Sequence, residues 1–234
     1  MTANAGRAWR APNLFELFAN GPHLGEARYE MGTAGLVPEA ATNLDLGMRW
    51  EGRRVRGEAA VYRNAVARYI YVSPSAVFRD SLRVYQYLQA DALLTGGEVS
   101  VEFELWRPLT LRASAEAVRG ANQTTAEPLP LMPPPRFVLG GEVRPPGQAR
   151  VYAGAEVEVV ARQTRLNPLD LPTNGYTLLN LSAGLERRWA SRPLRLDLMV
   201  RNAANASYRD FLSRYKEFAL NPGRNIALRV SFMP

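Results

Sequence analysis

Hydrophobic and polar residues alternate with a period of two along most of this chain. From Val99 the odd positions read Val99, Val101, Phe103 and Leu105, against Glu98, Ser100, Glu102 and Glu104. The pattern returns from Leu109 through Ala117, from Val151 through Val159, from Leu194 through Val200, and from Ile226 through Phe232. Successive side chains of a strand point to opposite faces, so each segment has one apolar and one polar face. Strands are expected near 2–8, 43–50, 54–71, 86–105, 109–120, 136–144, 149–163, 175–189, 193–204 and 224–232.

A soluble sandwich also alternates, so strand length, connections and aromatic placement have to decide. Several segments exceed the usual strand of about 5–6 residues. The expected connections alternate between short (51–53, 106–108, 145–148, 190–192) and long (9–42, 72–85, 121–135, 164–174, 205–223). Short turns on one side and long loops on the other mark a transmembrane barrel. Trp50, Trp106 and Trp189 fall at short-turn ends, and Tyr69, Tyr71, Tyr85, Tyr87 and Tyr176 near long-loop ends, as interfacial girdles would. Prolines keep to turns and edges, and none falls inside an expected strand. On this register Leu111, Val157, Leu196 and Leu228 face lipid, while Arg112, Glu158, Arg195 and Arg229 face the lumen. Arg56, Glu58, Glu98, Glu102, Glu104, Glu116, Glu142 and Glu156 join the lumenal set.

Composition adds exclusions. The chain is 47% hydrophobic, yet no run of about 18 uncharged apolar residues occurs, which excludes a transmembrane helix. There is no cysteine, hence no disulfide or thiolate metal site. The net charge is +7, and Lys216 is the one lysine. The arginines are spread along strands among glutamates and form no stripe, so nucleic acid is not an expected partner. Nothing resembles Gly-x-Ser-x-Gly or a phosphate-binding glycine loop, so neither an enzyme nor a cofactor is expected.

Two stretches resemble TonB-dependent receptors of the metal and siderophore type. The first is Gly6-Arg7-Ala8-Trp9-Arg10-Ala11-Pro12, continued through Gly32, Leu36, Pro38-Glu39, Asn43 and Leu46-Gly47; Thr33, Ala34 and Gly35 depart from the family's Asn-Pro. The second is Val200-Arg201-Asn202-Ala203-Ala204-Asn205, then Tyr208, Gly223-Arg224 and Phe232, after which Met233 and Pro234 follow the usual terminal aromatic. The resemblance implies an all-β, antiparallel outer-membrane barrel of which residues 1–234 are about ten C-terminal strands of 22. It implies that a plug domain and signal peptide lie outside this chain. The implied partners are outer-membrane lipid, a metal or metal–siderophore ligand, TonB through the plug, and the barrel-assembly machinery through the C-terminal strand. The alternatives are a complete ten-stranded barrel with a structural or protease role, and a soluble adhesion sandwich.

The candidate ligand contacts lie in two long loops. Loop 9–42 holds the single histidine, His23, with Glu26, Tyr29 and Glu30. Imidazole with carboxylates suits a transition metal, so His23 is the expected metal donor. Loop 205–223 offers Arg209, Asp210, Arg214 and Tyr215, a basic and aromatic set suited to an anionic siderophore.

Overall fold

The computed structural model describes residues 1–147, 150–189 and 192–232. Ten strands form one antiparallel sheet in sequence order. They are β1 (Thr2–Arg10), β4 (Glu39–Glu51), β5 (Val55–Arg79), β6 (Leu82–Trp106), β7 (Leu109–Asn122), β8 (Arg136–Val143), β9 (Arg150–Val160), β10 (Tyr176–Trp189), β11 (Arg192–Arg201) and β12 (Asn225–Phe232). The connection between β1 and β4 contains α1 (Leu14–Phe18), β2 (Asn20–His23), a 3-10 turn and β3 (Arg28–Met31). Among the described residues the sheet is open: β1 pairs only with β4, and β12 only with β11. The ten strands therefore do not close on themselves as the small complete barrel would require. The expected turns at 145–148 and 190–192 fall partly outside the described residues, as do the Trp189 side chain and Met233–Pro234.

The alternation sorts every strand into two faces. One cavity of about 770 Å³ is lined from Arg49 on β4 across to Arg201 on β11, so this face is concave. Its cross-strand neighbours are ion pairs. Glu102 sits between Arg56 at 2.6 Å and Arg112 at 2.8 Å, and Arg136 pairs with Glu158 at 2.8 Å. On the opposite face Leu139, Val157, Leu198 and Leu228 are 37–67% exposed. A sheet whose exposed face is aliphatic and whose concave face is charged is inverted relative to a soluble protein, and it fits a wall between lipid and a wet lumen. Among the described residues no helix is long and apolar enough to cross a membrane.

Aromatic rings complete the wall by lying over glycines of the next strand. A Cβ on Gly184 would meet Tyr152 Cε1 at 2.0 Å, one on Gly96 would meet the Tyr62 hydroxyl at 2.3 Å, and one on Gly57 would meet Trp50 Cζ2 at 2.2 Å. At Gly184 the ring alone fills the space of a Cβ, whereas at Gly57 and Gly96 a backbone carbonyl of the neighbouring strand lies as close, Ser100 O at 2.7 Å and Ala117 O at 2.8 Å.

Two expectations are corrected. Residues 72–85 are not a loop: β5 and β6 run 25 residues each and meet in a two-residue turn at Asp80-Ser81. Both turn residues have positive φ (50° and 62°), as the tight turn favoured between twisted strands demands. At 25 residues a strand the hairpin is far longer than the roughly 9–11 residues that a bilayer-crossing strand needs, and its upper half projects beyond the neighbouring strands. Pro74 lies inside β5, opposite Tyr85, at the point where the register shifts between Pro74 and Phe78.

Candidate functional site

The long-loop end of the wall carries a folded cap. Asn13 starts α1 with a capping box: its side chain accepts from Glu16 N at 2.9 Å, and Glu16 accepts from Asn13 N at 2.7 Å. The Arg10 guanidinium then donates to both Glu16 oxygens (3.0 and 2.8 Å) and to Glu39 at 2.9 Å. The Glu16 hydrogen bonds are the main reason that the Arg10 guanidinium is pushed above its already high range. Glu39 also accepts from Ile70 N at 2.8 Å. The second arginine of the Gly-Arg-Ala-Trp-Arg-Ala-Pro run is thus a clamp joining β1, α1, β4 and β5.

Beyond the clamp, β3 adds to the projecting hairpin as a parallel strand, with Arg28 beside Arg83 and Glu30 beside Tyr85. Arg28 is buried between two carboxylates: Glu26 lies 2.8 Å from its Nη2 as an ion pair, and Glu30 accepts from its Nε at 2.8 Å. The guanidinium stacks over the Tyr85 ring, 5.1 Å from its centre. Tyr85 in turn donates to Glu217 at 3.4 Å. Burial is the first cause, and Glu217 the second, that pushes the Tyr85 phenol up.

Loop 205–223 is docked here. Lys216 is buried, 2.7 Å from Asp170 of loop 164–174 and 3.7 Å from the centre of the buried Phe211 ring. Arg214 approaches Glu26 at 3.9 Å. A small cavity of about 70 Å³ lies where these loops meet, bordered by Glu26, Arg28, Tyr85, Asp170, Arg214 and Lys216. The loop base is fixed by Asn202, whose amide donates to Ala206 O at 2.9 Å. Asn205 also helps fix the base, accepting from Arg224 N at 2.9 Å. A Cβ at Gly223 would fall 2.7 Å from Asn205 Oδ1, which accounts for the glycine at 223.

The expected site residues divide into three groups. Glu26 and Arg214 meet, and Glu30 joins them through Arg28. Tyr29 is buried and donates to Asn20 at 2.9 Å, while Asp210 accepts from Tyr176 at 2.7 Å; both are structural in this arrangement. His23, Arg209 and Tyr215 are exposed. Tyr215 packs edge-on against Phe218, ring centres 5.6 Å apart. Among the described residues no three His, Cys, Asp or Glu side chains gather as a metal-binding group. Sequence reasoning missed Arg28, Tyr85 and Asp170. The first was readable as the cation between Glu26 and Glu30; the other two are far away in the chain.

The family profile described as "TonB dependent receptor-like, beta-barrel" matches residues 1–203. Among solved structures, the copper transporter OprC superimposes with TM-score 0.81 at 23% identity, over 97% of this chain and 36% of that one. The ferric preacinetobactin receptor BauA from Acinetobacter baumannii gives TM-score 0.69 at 16% identity, over 98% and 33%. The FrpB iron transporter from Neisseria meningitidis gives 0.68 at 15%, over 97% and 36%. At these identities the likeness is one of fold, and this chain spans about a third of the length of each.

Proposed function

Since this chain belongs to the TonB dependent receptor-like, beta-barrel family, we propose that it forms the C-terminal wall and cap of an outer-membrane receptor that imports a metal as an anionic chelate. Residues 1–234 then act as one partial barrel domain, anchored in outer-membrane lipid and inserted by the barrel-assembly machinery through its last strand. TonB supplies energy through a plug domain of the whole receptor. The structural neighbour named for ferric preacinetobactin agrees with a chelate, and the one named for copper agrees with a metal cargo.

The observation that carries the chelate reading is the state of the cap's charges. Glu26 and Glu30 both face the Arg28 guanidinium, so a metal cation there would compete with a buried ion pair. Loop 205–223, docked by Lys216 and Asp170, exposes Arg209, Tyr215, Glu217 and Arg214, the last also 3.9 Å from Glu26. A planar guanidinium matches carboxylate or catecholate oxygens, and a tyrosine ring offers a stacking face. One observation favours a bare metal instead: the His23 side chain is exposed and makes no hydrogen bond among the described residues, so its imidazole is free.

The test is uptake by the whole receptor under metal starvation. Arg209→Ala with Arg214→Ala should lower ferric-chelate uptake roughly tenfold, the worth of one charge-assisted hydrogen bond. His23→Ala should leave it unchanged. The reverse result, for iron, copper or zinc salts, makes His23 the donor and removes the chelate.

A further inference from the structure

The outward face of the wall carries a second feature that the cap does not use. A groove of about 620 Å³ crosses β5 to β9 on that face; small and apolar residues such as Ala59, Val99, Ala117 and Phe137 make most of its lining, and Glu98, Glu116 and Arg136, whose register turns them to the concave face, also border it. The register explains it. Ala59, Val99, Ala115, Phe137 and Val159 form one cross-strand row, and Val61, Gly97 and Ala117 form the next row toward the loops. Small residues on β5 to β7 make the floor, and Phe137 with Val159 makes a wall.

The next row up on the same face is not apolar. It reads Arg63, Thr95 and Arg119 across β5, β6 and β7. Arg63 and Arg119 are exposed and stand outside every ion pair of the described residues, unlike their concave-face counterparts Arg56 and Arg112. With one strand between them, their backbones are about 10 Å apart. A third exposed arginine, Arg7 on β1, stands two strands from Arg63 and one row higher, opposite Thr42. The nearest acid along that side of β6, Asp91, is four residues beyond Thr95 and accepts from Arg68 N at 2.8 Å. An apolar groove capped by two unpaired cations, on a surface turned away from the lumen, has the charge and polarity sequence of one ligand class: an acyl lipid with an anionic headgroup.

We infer that this face is a specific lipid site. Arg63 and Arg119 hold the phosphate of an outer-leaflet acyl lipid, and the groove beneath them seats one acyl chain. The inference rests on the membrane placement proposed above. Two arginines reading one phosphate give fork-like, charge-assisted hydrogen bonds, strengthened beside hydrocarbon. The arginines sit on the long-loop side of the groove, so the headgroup lies at the outer interface and the chain points toward the bilayer centre.

The experiment uses the full-length protein, purified from outer membranes, delipidated in mild detergent and examined by native mass spectrometry. The probes are dioleoyl phosphatidic acid, dioleoyl phosphatidylcholine and inorganic phosphate. The wild type should retain phosphatidic acid at least tenfold better than phosphatidylcholine, and millimolar phosphate should not displace it. Arg63→Gln with Arg119→Gln should abolish the preference, and Arg63→Lys with Arg119→Lys should keep part of it. Ala117→Phe, which fills the groove from an outward position, should weaken phosphatidic acid with both arginines intact. Equal retention of the two lipids, or displacement by phosphate alone, would overturn the lipid site. A lipid-borne quencher against a fluorophore at Val99 separates the lipid site from the membrane placement beneath it. Quenching without headgroup preference sinks only the lipid site, and no quenching sinks the membrane placement as well.

Discussion

The Lys216 ammonium lies 2.7 Å from the Asp170 carboxylate, and both side chains are less than a tenth exposed. The two residues are 46 apart in sequence and join two different loops. Removing one partner from a buried pair strands the other charge at a cost of about 3–5 kcal/mol. Lys216→Met should therefore release loops 164–174 and 205–223, seen as faster amide exchange in both. Lys216→Met with Asp170→Leu should restore most of the protection, because neither charge is then left unpaired. Unchanged exchange in the single variant would show that the pair does not dock the loops.

Burial of Tyr85 sets an alkaline limit on the same cap. Its phenol is pushed up from the ordinary value, first by burial and then by Glu217. When the cap opens, that phenol loses its proton near pH 10. Above that pH the open state binds fewer protons than the packed one, so packing weakens as pH rises; below it this group contributes no pH dependence. Absorbance at 295 nm should show a tyrosine titrating above pH 10 that disappears in Tyr85→Phe. A Tyr85 transition at or below 10 would contradict the burial.

Much of the wall was legible in the sequence, and the reason is physical. A strand between lipid and water must alternate, so Val99 through Leu105 and Leu194 through Val200 announce both the strand and its face. The projecting hairpin was not legible, because beyond the ten-strand wall both faces of a strand meet protein or water and the alternation lapses. Asp80-Ser81 lacks the glycine that usually marks so tight a turn. The cap was half legible: His23, Glu26 and Arg214 stand in loops that invite chemistry, but that Arg28 neutralises Glu26 and Glu30 is a fact of packing. The clamp of Arg10 on Glu16 and Glu39 spans 29 residues, and only the fold brings it together.

The two faces of the sheet differ in what they tolerate. Val157 is exposed on the outward face, while Ser114 lines the concave cavity. Val157→Arg should cost about 2–4 kcal/mol near the bilayer midplane, and Ser114→Arg should cost little. Urea titration of the folded, heat-modifiable form in the intact receptor measures both. Spin labels at 111 and 112 give an independent reading: the label at 112 should be the less accessible to lipid-soluble relaxants. The opposite order at 111 and 112 would invert the register of the whole wall.

Tyr152 lies over Gly184 and donates to Asp197 at 2.8 Å, and Asp197 also accepts from Arg195 at 3.0 Å. Gly184→Val would put side-chain atoms where the ring now lies and so displace it. The expected loss is about 1–2 kcal/mol, roughly one hydrogen bond together with the ring's packing. In a Tyr152→Ala background the same glycine substitution should cost much less, since the two changes act on one contact. Simple additivity in that double-mutant cycle would mean that the glycine serves some need other than the ring.

The open edges give the last prediction. On β1 and β12 the backbone groups that point away from the sheet have no partner strand among the described residues. Such groups each cost several kcal/mol in hydrocarbon, which is why spanning sheets close. β12 adds exposed Ile226, Leu228 and Val230 to that edge, and an exposed apolar edge is a template for further pairing. Residues 1–234 expressed alone should therefore form edge-paired oligomers or aggregates in detergent. Co-folding with strands that neighbour β1 and β12 in the whole receptor should yield a monomer. Heat-modifiability on gels together with light scattering distinguishes the outcomes. A stable, heat-modifiable monomer of this chain alone would show β1 and β12 pairing with each other. Ten strands would then suffice for a barrel, and the charged face would line a narrow pore instead of a segment of a wider wall.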